Sequence, residues 1–326
     1  MKVKKAIKVG LIFLPILIMM ILLLVNPQEY TQSFYQGLMI FCISVLPSMF
    51  PFFFFTKLLT SLGLGKYLST LFSKPCRFLF NAPDVGGYIW CMSLISGYPI
   101  GAKLVCDFYE SGQISSKQAK KLVPFTSSSG PLFILGTVGV SIFNNYLLGL
   151  VVLISHILST IVNGLIFRGK KIATDTPLLF HAPQYDKALS DSVYNSVTSI
   201  LIVGAYIALF NMLGDMLKGM GLIEILSKAL STLLSPFSLE NSAEALLFGF
   251  VEMTRGCLLL SQSGISPVMM TGFSSLIVTF GGLGICIQSM TFLGKCGVSP
   301  LYYLITKTTQ SLIAFGFALL FSTFIL

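Results

Sequence analysis

The octapeptide Ser96-Gly97-Tyr98-Pro99-Ile100-Gly101-Ala102-Lys103 breaks a strongly apolar run, and it constrains the fold more than any other stretch. Pro99 has no N–H to donate and its ring clashes with the preceding turn. Gly97 and Gly101 weaken a helix further. The chain is 54% hydrophobic and 10% charged, against roughly 25% charged in soluble domains. That identifies a polytopic membrane protein. In hydrocarbon, a broken helix is tolerated only where its freed backbone groups are buried in protein or line a polar cavity. Such breaks point to the substrate site of secondary transporters. For this segment taken alone, the plain alternative is a loop between two short helices.

Read in order, Lys2, Lys4, Lys5 and Lys8 precede an apolar run from Val9 to Val25. With no small-x-small cleavage site following, this reads as an uncleaved first helix with its N-terminus inside. Tyr35 to Leu59 is a second span, kinked by Pro47 and Pro51. Gly63 to Phe80 alternates Lys66, Lys74 and Arg77 with aromatic and aliphatic residues, an amphipathic segment for the interface. Val85 to Ile95 re-enters, breaks at 96–103 and exits near Asp107 to Glu110. Each arm is too short to span, so a re-entrant hairpin is expected. Ser115 or Ser116 caps the next helix. Thr126-Ser127-Ser128-Ser129-Gly130-Pro131 then makes a second break. Leu147 to Phe167 is a clean span, with His156 expected to bond between helices. The polar stretch from Arg168 to Ser190 is a linker.

The second half repeats this order. Val193 to Met216 is a span and Gly219 to Pro236 an amphipathic segment. A hairpin breaks at Glu252-Met253-Thr254-Arg255-Gly256, a broken span carries Gly281-Gly282-Leu283-Gly284, and Leu301 to Leu326 closes the chain. Lys66-Tyr67-Leu68-Ser69-Thr70-Leu71 parallels Lys228-Ala229-Leu230-Ser231-Thr232-Leu233. Three crossings per half invert the second relative to the first. With the N-terminus inside, Lys218, Lys228 and Arg255 fall outside and Lys307 within the last span. The remaining 17 of the 21 basic residues lie on the inside segments, as the positive-inside rule requires. The expected fold is therefore an all-α polytopic membrane protein with two inverted repeats. Each carries an amphipathic helix, a re-entrant broken hairpin and a discontinuous transmembrane helix. The divisions are an N-terminal helix (1–30), a first gate-like repeat (31–168), a cytoplasmic linker (169–190) and a second repeat (191–326).

Four motifs carry a family resemblance: the octapeptide at 96–103, Ser128-Ser129-Gly130-Pro131-Leu132-Phe133, Gly249-Phe250-Val251-Glu252-Met253-Thr254-Arg255-Gly256, and Gly281-Gly282-Leu283-Gly284-Ile285-Cys286-Ile287-Gln288. From about Tyr35 onward the chain resembles the sporulation integral membrane protein YlbJ (SpoVV) family. These are proteins with nucleoside-recognition gate domains, related to concentrative nucleoside transporters. The resemblance implies a role in endospore formation. It places the protein in the outer forespore membrane of a bacterial cell, carrying dipicolinic acid from the mother cell toward the forespore.

Dipicolinate carries two carboxylates on a planar ring, so its site needs cations, amides and a flat slot. Lys103 and Arg255 stand at the hairpin breaks, where a charge costs roughly 2.5 to 3.5 kcal/mol on insertion scales. Arg holds a carboxylate bidentately. Half-helix N-termini after Gly130 and Gly284 aim amides at an anion, and Tyr98 stacks on a ring. Glu252 is either the partner of Arg255 or a proton-coupling carboxylate. The substrate-binding candidates are Ser96, Gly97, Tyr98, Pro99, Gly101, Lys103, Ser127, Ser128, Ser129, Gly130, Glu252, Thr254, Arg255, Gly281, Gly282 and Gln288. Against them stand snorkelling of the two cations and simple helix packing of the Ser127 to Ser129 cluster.

The functional readings that follow are a transporter of a small planar organic anion, a nucleoside transporter on the same fold, an intramembrane enzyme, and a non-transporting assembly or channel component. Lys103 and Arg255 weigh against a nucleoside. An enzyme using Ser128 or Ser129 with His156 would lack Gly-x-Ser-Gly, because position 127 is Ser. The seven Cys form no Cys-x-x-Cys pair and read as apolar packing residues, and two His are too few for a metal site. No cofactor is expected. The expected partners are the organic anion, the lipid bilayer and further copies of the chain, with no nucleic acid.

Overall fold

The computed structural model describes residues 2–170 and 185–325. Most of the expected linker, at 171–184, and with it His181, lies outside the described residues. The described residues contain helices and no strand. Helix α1 (Lys2–Val25) is followed by α2 (Pro27–Ile40), a π-helical turn (Phe41–Val45) and α3 (Leu46–Ser61) in one continuous rod. Pro47 explains the π turn. It removes one N–H and crowds the carbonyl of the preceding turn, and a locally widened helix relieves both. The rod begins at Pro27, eight residues ahead of the expected Tyr35, because Pro at the first helical position is favourable.

Helix α4 (Leu64–Phe80) is the expected amphipathic segment, with Tyr67, Leu71 and Phe78 exposed. Then come α5 (Val85–Ser96), α6 (Ile100–Glu110), α7 (Ser116–Thr126), a π-helical segment (Phe133–Ile142) and α8 (Tyr146–Ile166). Ser115 caps α7 in a reciprocal box with Gln118. Ser115→Ala is expected to lower stability by about 1 kcal/mol, read as a small drop in unfolding temperature in detergent.

The second half comprises α9 (Ala188–Gly219), α10 (Leu222–Leu234), α11 (Ala243–Val251), α12 (Met253–Ser261), α13 (Pro267–Phe280), α14 (Gly282–Leu293) and α15 (Pro300–Ile325). The last three residues assigned to the linker, 188–190, already belong to α9.

Five helical stretches among the described residues are long and apolar enough to cross a bilayer: Pro27–Ser61, Tyr146–Ile166, Ala188–Gly219, Pro267–Cys296 and Pro300–Ile325. Large aliphatic and aromatic residues on them face outward, among them Leu201, Leu209, Leu312, Leu320 and Phe324. That is the surface lipid requires. The chain is a polytopic membrane protein.

Side-chain bonds fix the packing. Ser61 meets Ser192 while Ser33 meets Asp215, so the α2–α3 rod runs antiparallel to α9. Phe167 at the end of α8 meets Tyr302 at the start of α15, so these two are antiparallel as well. One apolar core gathers α4 to α7 with α14 and the start of α15, around Phe80, Trp90, Leu122, Phe125 and Leu293. The other gathers the π turn before α3, α3, α8, α9 and α11 to α13 with the π segment, around Phe41, Ile134, Leu246, Cys257 and Ile277. Each core thus joins the short helix pair of one half to the broken span of the other. Six of the seven cysteines are buried and all are free.

Candidate functional site

Four helix interruptions face one another inside this frame. Between α5 and α6 the chain turns through Gly97, Tyr98 and Pro99, with a cis Tyr98–Pro99 bond. Between α7 and the π segment Ser127 to Gly130 are not helical. Glu252 alone separates α11 from α12, and Gly281, at φ 89°, separates α13 from α14. The first two touch directly. A Cβ on Gly97, whose φ is +74°, would sit 2.5 Å from the amide nitrogen of Gly130. Only glycine fits there. Two breaks are tighter than the sequence suggests. Lys103 lies inside α6, and Thr254 to Gly256 form the first turn of α12.

Each interruption leaves backbone groups without helical partners, and a bilayer core supplies none. Polar side chains take them up. Tyr98 donates its hydroxyl to the carbonyl of Thr279 at 2.8 Å, in the last turn of α13. Lys307 of α15 is 1% exposed. It donates to Tyr98 Oη at 2.8 Å, to the carbonyl of Ser127 at 3.0 Å and to Gln310 Oε1 at 2.9 Å. The Ser129 N–H donates to His156 Nε2 at 2.9 Å. A backbone amide can only donate, so Nε2 accepts, and the other ring nitrogen, 2.8 Å from Thr279 Oγ1, carries the proton of the neutral ring. Asn163 donates to the carbonyls of Pro124 and Thr306. Ser127 bonds Tyr303, and Ser128 donates to Ser93. A polar junction thus ties the breaks of the first half to those of the second through α8 and α15.

Glu252, 7% exposed, caps α12. Its carboxylate accepts from the amides of Thr254 at 3.0 Å and Arg255 at 2.7 Å and from Thr254 Oγ1 at 2.9 Å. The Arg255 guanidinium turns elsewhere. It pairs with Asp215 at 2.6 Å, bonds Asn211 and lies 3.8 Å from the ring centre of Phe248.

Two cavities open beside the junction. The smaller, about 40 Å³, is lined by Tyr98, Ser129, Gly130, Glu252, Gly281 and Gln288 with an apolar wall that includes Phe133, Tyr206 and Phe210. The larger, about 300 Å³, is lined by Tyr98, Pro99, Lys103 and Gln288 together with Lys57, Asn195, Thr198, Ser199 and Thr291. Its volume is at the lower end of small-molecule sites, roughly 300 to 1,000 Å³. Tyr98 and Gln288 line both. Gln288 is buried, and its Oε1 has no partner. Lys103 pairs with Asp107 one turn on, whereas Lys57 has no ion-pair partner among the described residues.

Of the sixteen residues singled out in the sequence, Tyr98, Pro99, Lys103, Ser129, Gly130, Glu252, Gly281 and Gln288 line these cavities. Gly97, Gly101, Ser127, Ser128, Thr254, Arg255 and Gly282 stand behind them, in the close backbone contacts and the hydrogen bonds of the breaks, and Ser96 is buried at the end of α5. Lys57 and Lys307 were not among the candidates. For Lys307 a signal was present, since it is the sole charged residue of α15. For Lys57, near the end of a long span, snorkelling is the ordinary reading.

No family model matches the chain. The sporulation integral membrane protein YlbJ of Bacillus subtilis (strain 168) is 30% identical over 318 residues, covering 90% of this chain and 78% of that protein. A structure of a CNTnw variant in the intermediate 1 state superposes with a TM-score of 0.57 at 11% identity, over 98% of this chain and 86% of that one. At that identity the second likeness speaks for the fold alone.

Proposed function

The chain belongs to the family of the sporulation integral membrane protein YlbJ, and from that premise we propose that it is a secondary-type transporter of a small planar organic anion. Dipicolinic acid, moved from the mother cell toward the forespore, is the substrate that fits best. The carrying observation is the larger cavity. Two ammonium-bearing side chains, Lys57 and Lys103, line it together with Tyr98 and Gln288, whose side-chain oxygen has no partner. A dicarboxylate presents acceptors, and the cations and Gln288, with its amide turned to present N–H, are donors.

The transport reading goes with two inverted repeats, and the packing supports them. Element by element, α4 against α5 corresponds to α10 against α11, α5 against α7 to α11 against α13, and α7 against α15 to α13 against α8. Likewise α6 against α14 corresponds to α12 against the π segment. In this reading α5–α6 and α11–α12 are re-entrant hairpins, and the two broken spans cross between them with the substrate near the midplane. The positive-inside bias sets the N-terminus in the cytoplasm.

Dipicolinate binding to the purified protein, followed by thermal shift with uridine and adenosine alongside, tests the reading. Dipicolinate is expected to stabilise the native protein. Lys103→Gln is expected to raise its Kd about 10- to 100-fold, the loss of one hydrogen bond to a charged group. A response to the nucleosides with none to dipicolinate would move the protein to the nucleoside reading.

A further inference from the structure

Lys307 is a cation held by neutral oxygens alone. An ammonium has three donors, and here all three are engaged, by a phenol, a backbone carbonyl and a side-chain amide oxygen. It forms no ion pair among the described residues. The acceptors come from three places: the α5–α6 turn, the unwound residue after α7, and α15 itself. Tyr98 Oη donates onward to Thr279, so it can only accept from Lys307. Gln310 turns its oxygen to the ammonium and leaves its Nε2 buried without a partner. A purely apolar packing site gives no reason for that orientation, whereas a positive charge does. In secondary transporters with broken helices, unwound backbone carbonyls coordinate the coupling ion.

We infer that Lys307 is the built-in cation of this site, its ammonium taking the place beside the unwound Ser127 carbonyl and the Tyr98 hydroxyl that a coupling metal ion would otherwise fill, so that the described state binds neither sodium nor potassium there. The tethered charge joins the first break to α15 and, through Tyr98, to the end of α13. Its loss would leave the Ser127 carbonyl and the Tyr98 hydroxyl with a vacancy matched to a small cation. The coupling role rests on the transport reading. The ion specificity does not.

The test uses the full-length protein in detergent, unfolded thermally in sodium, potassium or choline chloride at equal ionic strength. The native chain is expected to give the same unfolding temperature in all three. Lys307→Met, which keeps the stem and removes the charge, is expected to unfold at lower temperature. Lys307→Ala is expected to regain stability saturably with sodium, potassium or methylammonium, and not with choline. A saturable rise with sodium or potassium over choline in the native chain would overturn the inference. So would a Lys307→Met protein as stable as the native one, or a destabilised Lys307→Ala that no small cation rescues. Should both variants fail to fold, the native titration decides alone. Dipicolinate binding, run in the same three salts, reports separately on the transport reading: its absence ends that reading and leaves the ion result standing.

Discussion

Gly101→Ala is expected to remove most of the folded protein. Gly101 lies in the first turn of α6, and a Cβ there would sit 1.7 Å from the carbonyl oxygen of Thr126, 2.8 Å from Ser93 Cβ and 2.9 Å from the carbonyl carbon of Thr126. The obstruction is backbone at the last residue of α7, so no rotamer change relieves it. Helix α6 would have to withdraw, carrying Tyr98 away from Lys307 and Thr279. Overpacking costs about 1 to 3 kcal/mol and more where backbone must move, so a loss above about 3 kcal/mol is expected. Gly316→Ala is the counterpart. Gly316 is in mid-helix on α15 with nothing within 4 Å of an added Cβ, and alanine there is expected to stabilise by up to about 1 kcal/mol. Size-exclusion yield and thermal unfolding of both variants check the pair. A Gly101→Ala protein with native yield and stability would show that α6 and α7 are not packed this closely.

Residues like Gly101 explain why the interrupted elements were legible in the sequence. Proline and glycine break helices by local covalent geometry, so the interruptions near Pro99, Gly130, Glu252 and Gly281 could be placed without a structure. Their lengths could not. Lys103 and Thr254 to Gly256 join their helices because a cap or a first turn accommodates them, and the Glu252 cap is visible only once its carboxylate is seen on the amides of Thr254 and Arg255. The start of the α2–α3 rod was missed for a related reason. Residues from Pro27 to Ser33 are polar and carry no apolar run, yet Ser33 packs against Asp215 on α9.

The site was legible as a set of pieces and not as a junction. Tyr98 and Thr279 are 181 positions apart, and Lys307 and Tyr98 are 209 apart. No local pattern announces such pairs. His156 was expected to bond between helices, and its ring bridges Ser129 and Thr279, a break in each half. Lys307 carried the clearest unused signal, a single charge in an otherwise apolar span, which marks a functional position by default.

Arg255 shows what that signal means when a partner is at hand, and it carries the second large effect. Its guanidinium reaches across from α12 to Asp215 on α9 at 2.6 Å, with side-chain exposures of 16% and 18%. Asp215 also accepts from Ser33 on α2, and Asn211 adds its carbonyl and side-chain oxygens at 3.2 Å. Truncating either ion leaves the other half-buried and uncompensated, which costs about 3 to 5 kcal/mol in fully buried pairs. For this pair, which is not fully enclosed, the lower end, about 3 kcal/mol, is expected for Arg255→Ala and for Asp215→Ala alike. The double variant is expected to lose far less than the two single losses combined, because removing both ions leaves no charge stranded. Thermal unfolding of the four proteins measures the coupling. Additive losses would refute the pair as a structural link. If they came with loss of dipicolinate binding in Arg255→Ala alone, the guanidinium would be returned to the substrate.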